Sequence, residues 1–558
     1  MSYFDDASLV MIPSGYKDQK VYSVKPLDGS GDLTFSRASS ATRVASNGLI
    51  EKVRTNLALY SEDFTNVAWA VNASPTRTAN TTVAPDGTTT ADTIASTASS
   101  SGVYQVPTVV SGVEYSFSVY VKNITSATNV QIGCDLGPTN GFLNFNAVTG
   151  AITSTAAGIT GSSVTNVGNG WYRVSGTYVS TGTTNTFIIF GQTGMSFAIW
   201  GAQFEAGVTT DYIATTSAAV SVGPVSGLPR LDYLNSTCPR LLLEPQRTNN
   251  LTYSEQFNNA VWATDGNGAG ETKTANYAIS PDGYQDADRI QLNRTGGSYS
   301  RVRQDYVASG AHTISVYLKS NTGSSQKVWM RVDGGTATKI TITTSWQRFI
   351  VSGSTSAALE LFIDNTDAEI ATIADFSAWG AQLEAGAYAT SYIPTLGTSV
   401  TRVTDAAYKG SISSLIGQTE GVAYIDFVWN GLTGIGSYPR IIELWGDSNN
   451  YIQLFTVSGS ANIYWDLYVG GVTQASGNAS MTLGRNKIAV AYKANDFVIY
   501  KNGTLVTSDT SCTIPATSSL GVAGSYAGSG AQLSASVNQA LLFTTRLTNA
   551  QLASLTSL

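Results

Sequence analysis

Catalysis in this chain would have to proceed almost without histidine, because His312 is the only one in 558 residues. A Ser/His/Asp triad, a Cys/His pair and a multi-histidine metal site all depend on an imidazole. His312 stands at a strand start, Gly310-Ala311-His312-Thr313-Ile314, where an earlier copy of the same stretch carries Glu114. No glycine loop leads into a helix in the manner of a phosphate cradle. Carboxylates are left. A glycosidase needs two of them, one protonated and one ionised, at a set separation, and Asp86 with Asp92 recurs as Asp282 with Asp288. Pro85-Asp86-Gly87 is foremost a turn in which Asp bonds its own backbone. A calcium ligand is the second reading and a general acid or base the third.

Glu62 with Glu205, and Glu255 with Glu384, come from the first and last strands of two repeated units. A hard cation takes several carboxylate and carbonyl oxygens, so this junction could hold calcium. A hydrogen bond to a loop backbone explains a repeated Glu equally well. No other cofactor is expected. Aromatic rings could stack on sugar rings while polar neighbours bond the hydroxyls. Trp69, Trp262, Trp200 and Trp379 recur at unit boundaries and read as core, whereas Trp329, Trp445, Trp465, Tyr438 and Tyr526 do not recur and lie in or near loops, which makes them the glycan-binding candidates.

The elements that must position these residues are announced by a duplication. Arg54-Thr55-Asn56 with Tyr60-Ser61-Glu62, Phe64 and Trp69 returns as Arg247-Thr248-Asn249 with Tyr253-Ser254-Glu255, Phe257 and Trp262. Trp200-Gly201-Ala202-Gln203-Phe204-Glu205-Ala206-Gly207 and Tyr212-Ile213 close the first unit; Trp379-Gly380-Ala381-Gln382-Leu383-Glu384-Ala385-Gly386 and Tyr392-Ile393 close the second. Short apolar or alternating runs such as Tyr115 to Val121 and Thr186 to Phe190, separated by Gly and Asn turns, indicate strands of a β-sandwich.

Only 12% of residues are charged, about half the usual share. A formal net charge of −7 without any Lys/Arg block argues against a nucleic-acid partner. No run approaches the roughly 18 apolar residues of a membrane span, and the start lacks a secretory pattern, so no membrane is expected. Cys134, Cys238 and Cys512 are too few and too scattered for a disulfide framework or a zinc knuckle.

The sequence predicts an all-β chain: an extended N-terminal adaptor (1–53), two jelly-roll β-sandwiches in tandem (54–217 and 247–397) joined by an extended linker (218–246), and a C-terminal β-sandwich of another kind (398–558). The adaptor has too few large apolar groups for a core and must complete itself against a neighbour. Proline punctuation at Pro229, Pro239 and Pro245 gives the linker its extended character.

The last segment, through Tyr500-Lys501-Asn502-Gly503 and Arg546-Leu547-Thr548-Asn549-Ala550-Gln551-Leu552, resembles concanavalin-A-like, laminin-G-type lectin domains. The duplicated units resemble jelly-roll carbohydrate-binding modules. Phe35-Ser36-Arg37-Ala38-Ser39-Ser40-Ala41-Thr42-Arg43-Val44, and Pro229-Arg230-Leu231-Asp232-Tyr233 leading to Leu241-Leu242-Leu243-Glu244-Pro245-Gln246-Arg247, are similar to segments of tailed-bacteriophage structural proteins. That resemblance implies a non-enzymatic head or tail fibre or decoration protein on the virion surface, assembled in the host cytoplasm. It implies attachment to other virion proteins through the N-terminal segment, a homo-oligomer (trimer or dimer), and cell-surface or mucosal glycans as partners. It supplies no catalytic residue. The rivals are a glycan-degrading tail-spike-type enzyme, whose short β-helix repeat is missing, and a purely architectural virion protein.

Overall fold

The computed structural model of the chain describes residues 3–135, 140–306, 310–332, 336–353, 357–429, 438–457, 459–526 and 532–558. They form three two-sheet sandwiches of antiparallel strands, in keeping with the all-β expectation. In the first module two six-stranded sheets enclose Phe64, Trp69, Phe117, Phe187 and Phe204; in the second, two five-stranded sheets enclose Phe257, Trp262, Val316, Leu361 and Leu383. The two modules correspond strand for strand. The first merely adds Ala151–Thr155 at the edge of one sheet and Ile159–Gly168 at the edge of the other.

The repeated motifs are the closures of these sandwiches. Asn56 Nδ2 donates to the carbonyls of Ala202 (2.9 Å) and Ile213 (2.7 Å), and Asn249 Nδ2 does the same to Ala381 (3.0 Å) and Ile393 (2.9 Å). Trp69 and Trp262 are buried, each indole donating at 3.0 Å to the carbonyl of the motif tyrosine, Tyr60 or Tyr253. A buried amide or indole needs such a partner, which accounts for these residue types in both copies.

The third sandwich departs from the sequence plan. Its core unites Ile425, Phe427, Trp429, Ile499 and Val537 with Leu9, Met11, Val21, Leu33 and Phe35 from the chain start and Leu231, Leu241 and Leu243 from the middle. Leu9–Met11 pairs with residues 540–542, Leu33–Ser36 pairs with Ala406–Lys409, and Arg240–Leu243 pairs with residues 535–537. Residues 1–53 complete themselves against a neighbour, as their few large apolar groups require, but that neighbour is the C-terminal sandwich and they are built into it; 218–246 is not a free linker, and 398–558 does not close a sandwich alone. The physical reason lies in the short apolar runs: the Leu33–Ser36 strand alternates buried and exposed, and such a strand is stable only on a core supplied by others. Hydrogen exchange at the Ser8 and Val10 amides, which donate to Leu542 and Lys25, should be as slow as in Ala535–Phe543. Exchange as fast as in a free terminus would contradict this assembly.

Both modules are thus insertions into one base sandwich, and each has a neck where incoming and outgoing chains pair. Arg54–Asn56 pairs with Val220–Val222, and Arg247–Asn249 pairs with Val400–Arg402. Beneath the second neck sits a buried ionic hub. Arg37 donates to Asp405 (3.0 Å), Arg230 to Glu244 (2.8 Å) and to the other oxygen of Asp405, and Arg402 approaches Glu244 (2.9 Å). Their side chains are 0–5% exposed. Burial acts against the charged form of Glu244, but Arg402 and Arg230 outweigh it and hold its carboxyl well below the usual carboxylate range. A second cluster joins Lys52 and Arg54 of the first neck to Glu255, Asp282 and Asp286 of the second module.

Near the C-terminus, Asn502 and Gly503 both take positive φ, as a two-residue primed hairpin turn requires. The helix Asn549–Thr556 carries a capping box between Thr548 and Gln551.

Candidate functional site: the outer face of the nine-stranded sheet

The nine-stranded sheet of the base sandwich buries Ile442, Leu444, Ile452, Leu454, Ile463, Trp465 and Leu467 against the core. Side chains alternate across a strand, so the intervening residues form the outer face. Strand register arranges them in three rungs. Trp445, Tyr451 and Tyr468 lie opposite one another, as do Glu443, Gln453 and Asp466, and Arg440, Phe455 and Tyr464.

The first rung is a stack of parallel rings: Trp445 to Tyr451 is 5.6 Å between centroids at 10°, and Tyr451 to Tyr468 is 5.0 Å at 7°. In the third, Phe455 stacks on Tyr464 (5.6 Å, 23°), Tyr438 meets Phe455 edge-on (5.7 Å, 82°), and the Arg440 guanidinium lies 5.4 Å from the Phe455 centroid. Between these ridges, about 13 Å apart at four residues along a strand, runs a polar rung in which Glu443 (1% exposed) and Gln453 (6%) are buried and Asp466 is half-buried. Gln453 Nε2 donates to Asp466 (2.9 Å); Glu443 accepts from Arg440 Nε (3.3 Å), Ser525 Oγ (3.0 Å) and the Tyr526 backbone N–H (2.8 Å). Burial, with Asp466 nearby, pushes the Tyr451 phenol up, so it stays a neutral donor. Among the described residues nothing bonds the Tyr451 or Tyr468 hydroxyl.

Cross-strand aromatic pairs stabilise an exposed sheet by about 0.2–1 kcal/mol each, and the ladder contributes that much whatever else it does. Its chemistry goes further. Parallel planes at such spacing cover one another's faces, leaving rims and phenol hydroxyls beside a line of carboxylate and amide groups. A pyranose set on this face would lie against the rim of one ridge and place hydroxyls on Asp466 and the phenols, the polar groups that are not fully buried.

Of the five aromatic candidates, the structure brings Trp445, Tyr438 and Tyr526 to this face. Tyr438 is 53% exposed, and the Tyr526 ring packs edge-on against Tyr408 (5.5 Å). Trp465 is a correction: it is 5% exposed, within the core. It shares the inward phase of Ile463 and Leu467, while Tyr464, Asp466 and Tyr468 take the outward one. That alternation was readable and would also have found Tyr451, Phe455, Tyr464 and Tyr468, which sequence reasoning missed. Trp329 lies on another sheet, in the second module, where its indole donates to Asp364 (3.0 Å).

The glutamates considered for calcium serve protein donors. Glu205 accepts from the Thr210 amide (2.8 Å), the Thr210 hydroxyl (2.5 Å) and Gln203 (2.6 Å). Glu384 accepts from the Thr390 amide (2.9 Å) and hydroxyl. Glu62 accepts from Tyr212 (3.0 Å); Glu255 accepts from Tyr392 (3.0 Å) and Lys52. Among the described residues no group of three or more His, Cys, Asp or Glu is placed to hold a metal ion. Asp86 bonds the Thr88 amide (2.9 Å), and Asp92 bonds the backbone amides of Phe64 (2.7 Å) and Asn80 (2.9 Å). His312 is buried, its Nδ1 3.0 Å from the Gly310 carbonyl oxygen. A cleft of about 880 Å³ opens between the first neck and the second module, lined by Tyr16, Arg43, Arg54, Asp211 and Tyr284. Its cations are already engaged, Arg43 with Glu51 (2.7 Å) and Arg54 with Asp282 and the Tyr284 ring.

Fold and site define a chain of three β-sandwiches with an aromatic and polar sheet face. No protein-family model matches it, nor does any curated protein. Among solved structures it is similar to NanB (16% identity over 26% of this chain, TM-score 0.22), of whose length the match spans about a quarter, 27%. It is similar also to the CBM40 of Ruminococcus gnavus IT-sialidase bound to α2,3-sialyllactose (11% identity, 27% of this chain and 91% of that one, TM-score 0.22). A third is the CBM22-1–CBM22-2 tandem of Paenibacillus barcinonensis Xyn10C (10% identity, 60% of this chain and 98% of that one, TM-score 0.22). Likenesses of this size add nothing to the site, which stands on its own geometry.

Proposed function

We propose that this is a non-enzymatic glycan-binding protein of a bacteriophage virion, a head or tail fibre or decoration protein whose base sandwich meets cell-surface or mucosal saccharides. The observation that carries the glycan reading is the three-rung outer face, with two aromatic ridges flanking Glu443, Gln453 and Asp466. The virion reading is supported by the likeness of residues 35–51 and 229–249 to tailed-phage segments. Those segments supply Arg37, Arg230 and Glu244 of the hub and so join modules to base. Attachment to other virion proteins then falls to the base sandwich into which the N-terminal strands are folded, and a trimer or dimer multiplies weak sites on one particle.

A glycan array probed with the full chain and with Trp445→Ala/Tyr468→Ala tests the binding face. Binding by the wild type and a loss of at least about tenfold in the variant, roughly 1.4 kcal/mol, are expected. Equal binding by both proteins removes the site. Quantitative mass spectrometry of purified particles tests the other half: several copies per particle are expected, and absence ends the virion reading.

A further inference from the structure

The duplicated modules share a sheet whose outer face has changed its chemistry. In the first module one register line runs Gly102, Phe190, Gln131, Asn144, and the next runs Tyr104, Ile188, Gly133, Phe142. The corresponding lines of the second are Arg301, Phe362, Trp329, Lys339, and Arg303, Glu360, Arg331. A phenylalanine is kept at the centre of both. Around it a glycine, a tyrosine and a glycine have been exchanged for three arginines, and Ile188 for Glu360.

Glu360, fully buried, holds the arginines in place. Arg301 Nη1 reaches one oxygen at 3.0 Å and Arg331 Nε the other at 2.5 Å, with Arg303 Nη1 at 4.0 Å. Asp265 takes the remaining edge of Arg301 with two bonds (2.5 and 2.9 Å), and the exposed Asp305 lies 3.2 Å from Arg303 at the rim. Among the described residues no acceptor meets either Nη of Arg331 or the Nη2 of Arg303. The Arg331 guanidinium lies 4.9 Å from the Phe362 centroid, and Phe362 in turn stacks on Trp329 (6.3 Å, 25°), whose indole is fixed by Asp364. The ion cluster is not demanded by the fold, because the first module closes the same sheet with Ile188 and neutral neighbours. A buried ion pair is in any case a weak source of stability relative to apolar packing.

We propose that this face of the second module binds an acidic saccharide, with its carboxylate or sulfate on the open Nη1/Nη2 edge of Arg331 and on Nη2 of Arg303, whose Nε lies 3.6 Å from Asp265, and its ring against Trp329. A planar guanidinium offers paired donors suited to either anion. The site is distinct from the base-sandwich face and rests on the proposed function only in that its ligand is a saccharide.

Affinity electrophoresis of the full chain in gels containing polygalacturonate, dextran sulfate or neutral dextran tests it. Retardation by an anionic polymer and none by dextran is expected, and which anionic gel retards the protein separates carboxylate from sulfate. Arg331→Gln should weaken that retardation at least tenfold. Arg303→Gln, which leaves the Arg301 and Arg331 bonds to Glu360 intact, should weaken it too, and it serves if Arg331→Gln does not fold. Trp445→Ala/Tyr468→Ala, which tests the base face, should leave it unchanged. No retardation in either anionic gel, wild-type retardation of the folded Arg variants, or loss only in the Trp445/Tyr468 variant would each overturn the assignment.

Discussion

Replacing Asp405 by alanine should destabilise the protein by about 3–5 kcal/mol, the cost of breaking a buried ion pair by removing one partner. Asp405 receives Arg37 and Arg230, and it also accepts the Glu244 backbone N–H at 2.9 Å. Without it three guanidiniums with fully buried side chains face the single carboxylate of Glu244, and an amide loses its acceptor. No rearrangement of surface rotamers can hydrate Arg230, which also donates to Ser391 (2.7 Å) and the Thr42 carbonyl (3.2 Å). Asp405→Asn, which keeps an acceptor but no charge, should fall between. Urea unfolding followed through the tryptophans measures the effect. A loss below about 1 kcal/mol, the scale of an exposed pair, would mean that the hub does not hold base and module together.

Stability should rise as the pH is lowered from 8 to 5. Burial pushes the Asp288 carboxyl up to about 7, although the Asn276 and Asn258 amides donate to it. Burial raises Asp286 as well, against the pull of Lys52, and it raises Glu114, whose oxygens accept from Asn276 across the two modules at 3.0 Å. A carboxyl with a folded pKa above its unfolded value binds an extra proton in the native state between the two, so unfolding becomes easier as pH rises through that window. For Asp288 alone the change between pH 5 and pH 8 is on the order of 2–3 kcal/mol. Glu244 has the opposite sign: its stabilisation is present above the unfolded carboxylate value and is lost in stronger acid. Thermal unfolding should therefore peak near about pH 5. A midpoint that is flat or higher at pH 8 would show that these carboxyls are hydrated in solution.

Much of this organisation is written locally. The repeated Arg-Thr-Asn and Trp-Gly-Ala-Gln motifs mark the two modules because their atoms do the same work in each: Gln203 accepts the Ile213 amide at 2.7 Å and Gln382 the Ile393 amide at 2.6 Å. The turn at Asn502-Gly503 and the cap at Thr548 are equally local. What the sequence conceals is partnership at long range. Leu9 gives no sign that its neighbour is Leu542, because a three-residue strand has no register information beyond its own alternation. The phage-like segments 35–51 and 229–249 flank the first module and mark it as inserted between them; the insertion of both modules between the strands of a third sandwich follows only from such pairings. The binding face was half legible: Trp445 and Tyr438 could be singled out as unrepeated aromatics. Reading Trp465 as a ligand ignored the phase that places it beside Ile463 and Leu467 in the core. The arginine face escaped altogether, since Arg301, Arg331 and Glu360 converge only through three separate strands.

A crystal structure of the full chain with the strongest-binding glycan from the array tests the central claim most directly. Sugar density in the trough between Trp445–Tyr451–Tyr468 and Phe455–Tyr464, in contact with Asp466 or a phenol of Tyr451 or Tyr468, is the expected result. A neutral sugar bound elsewhere, in the cleft beside Arg54 or on the first module, with this face empty would contradict it.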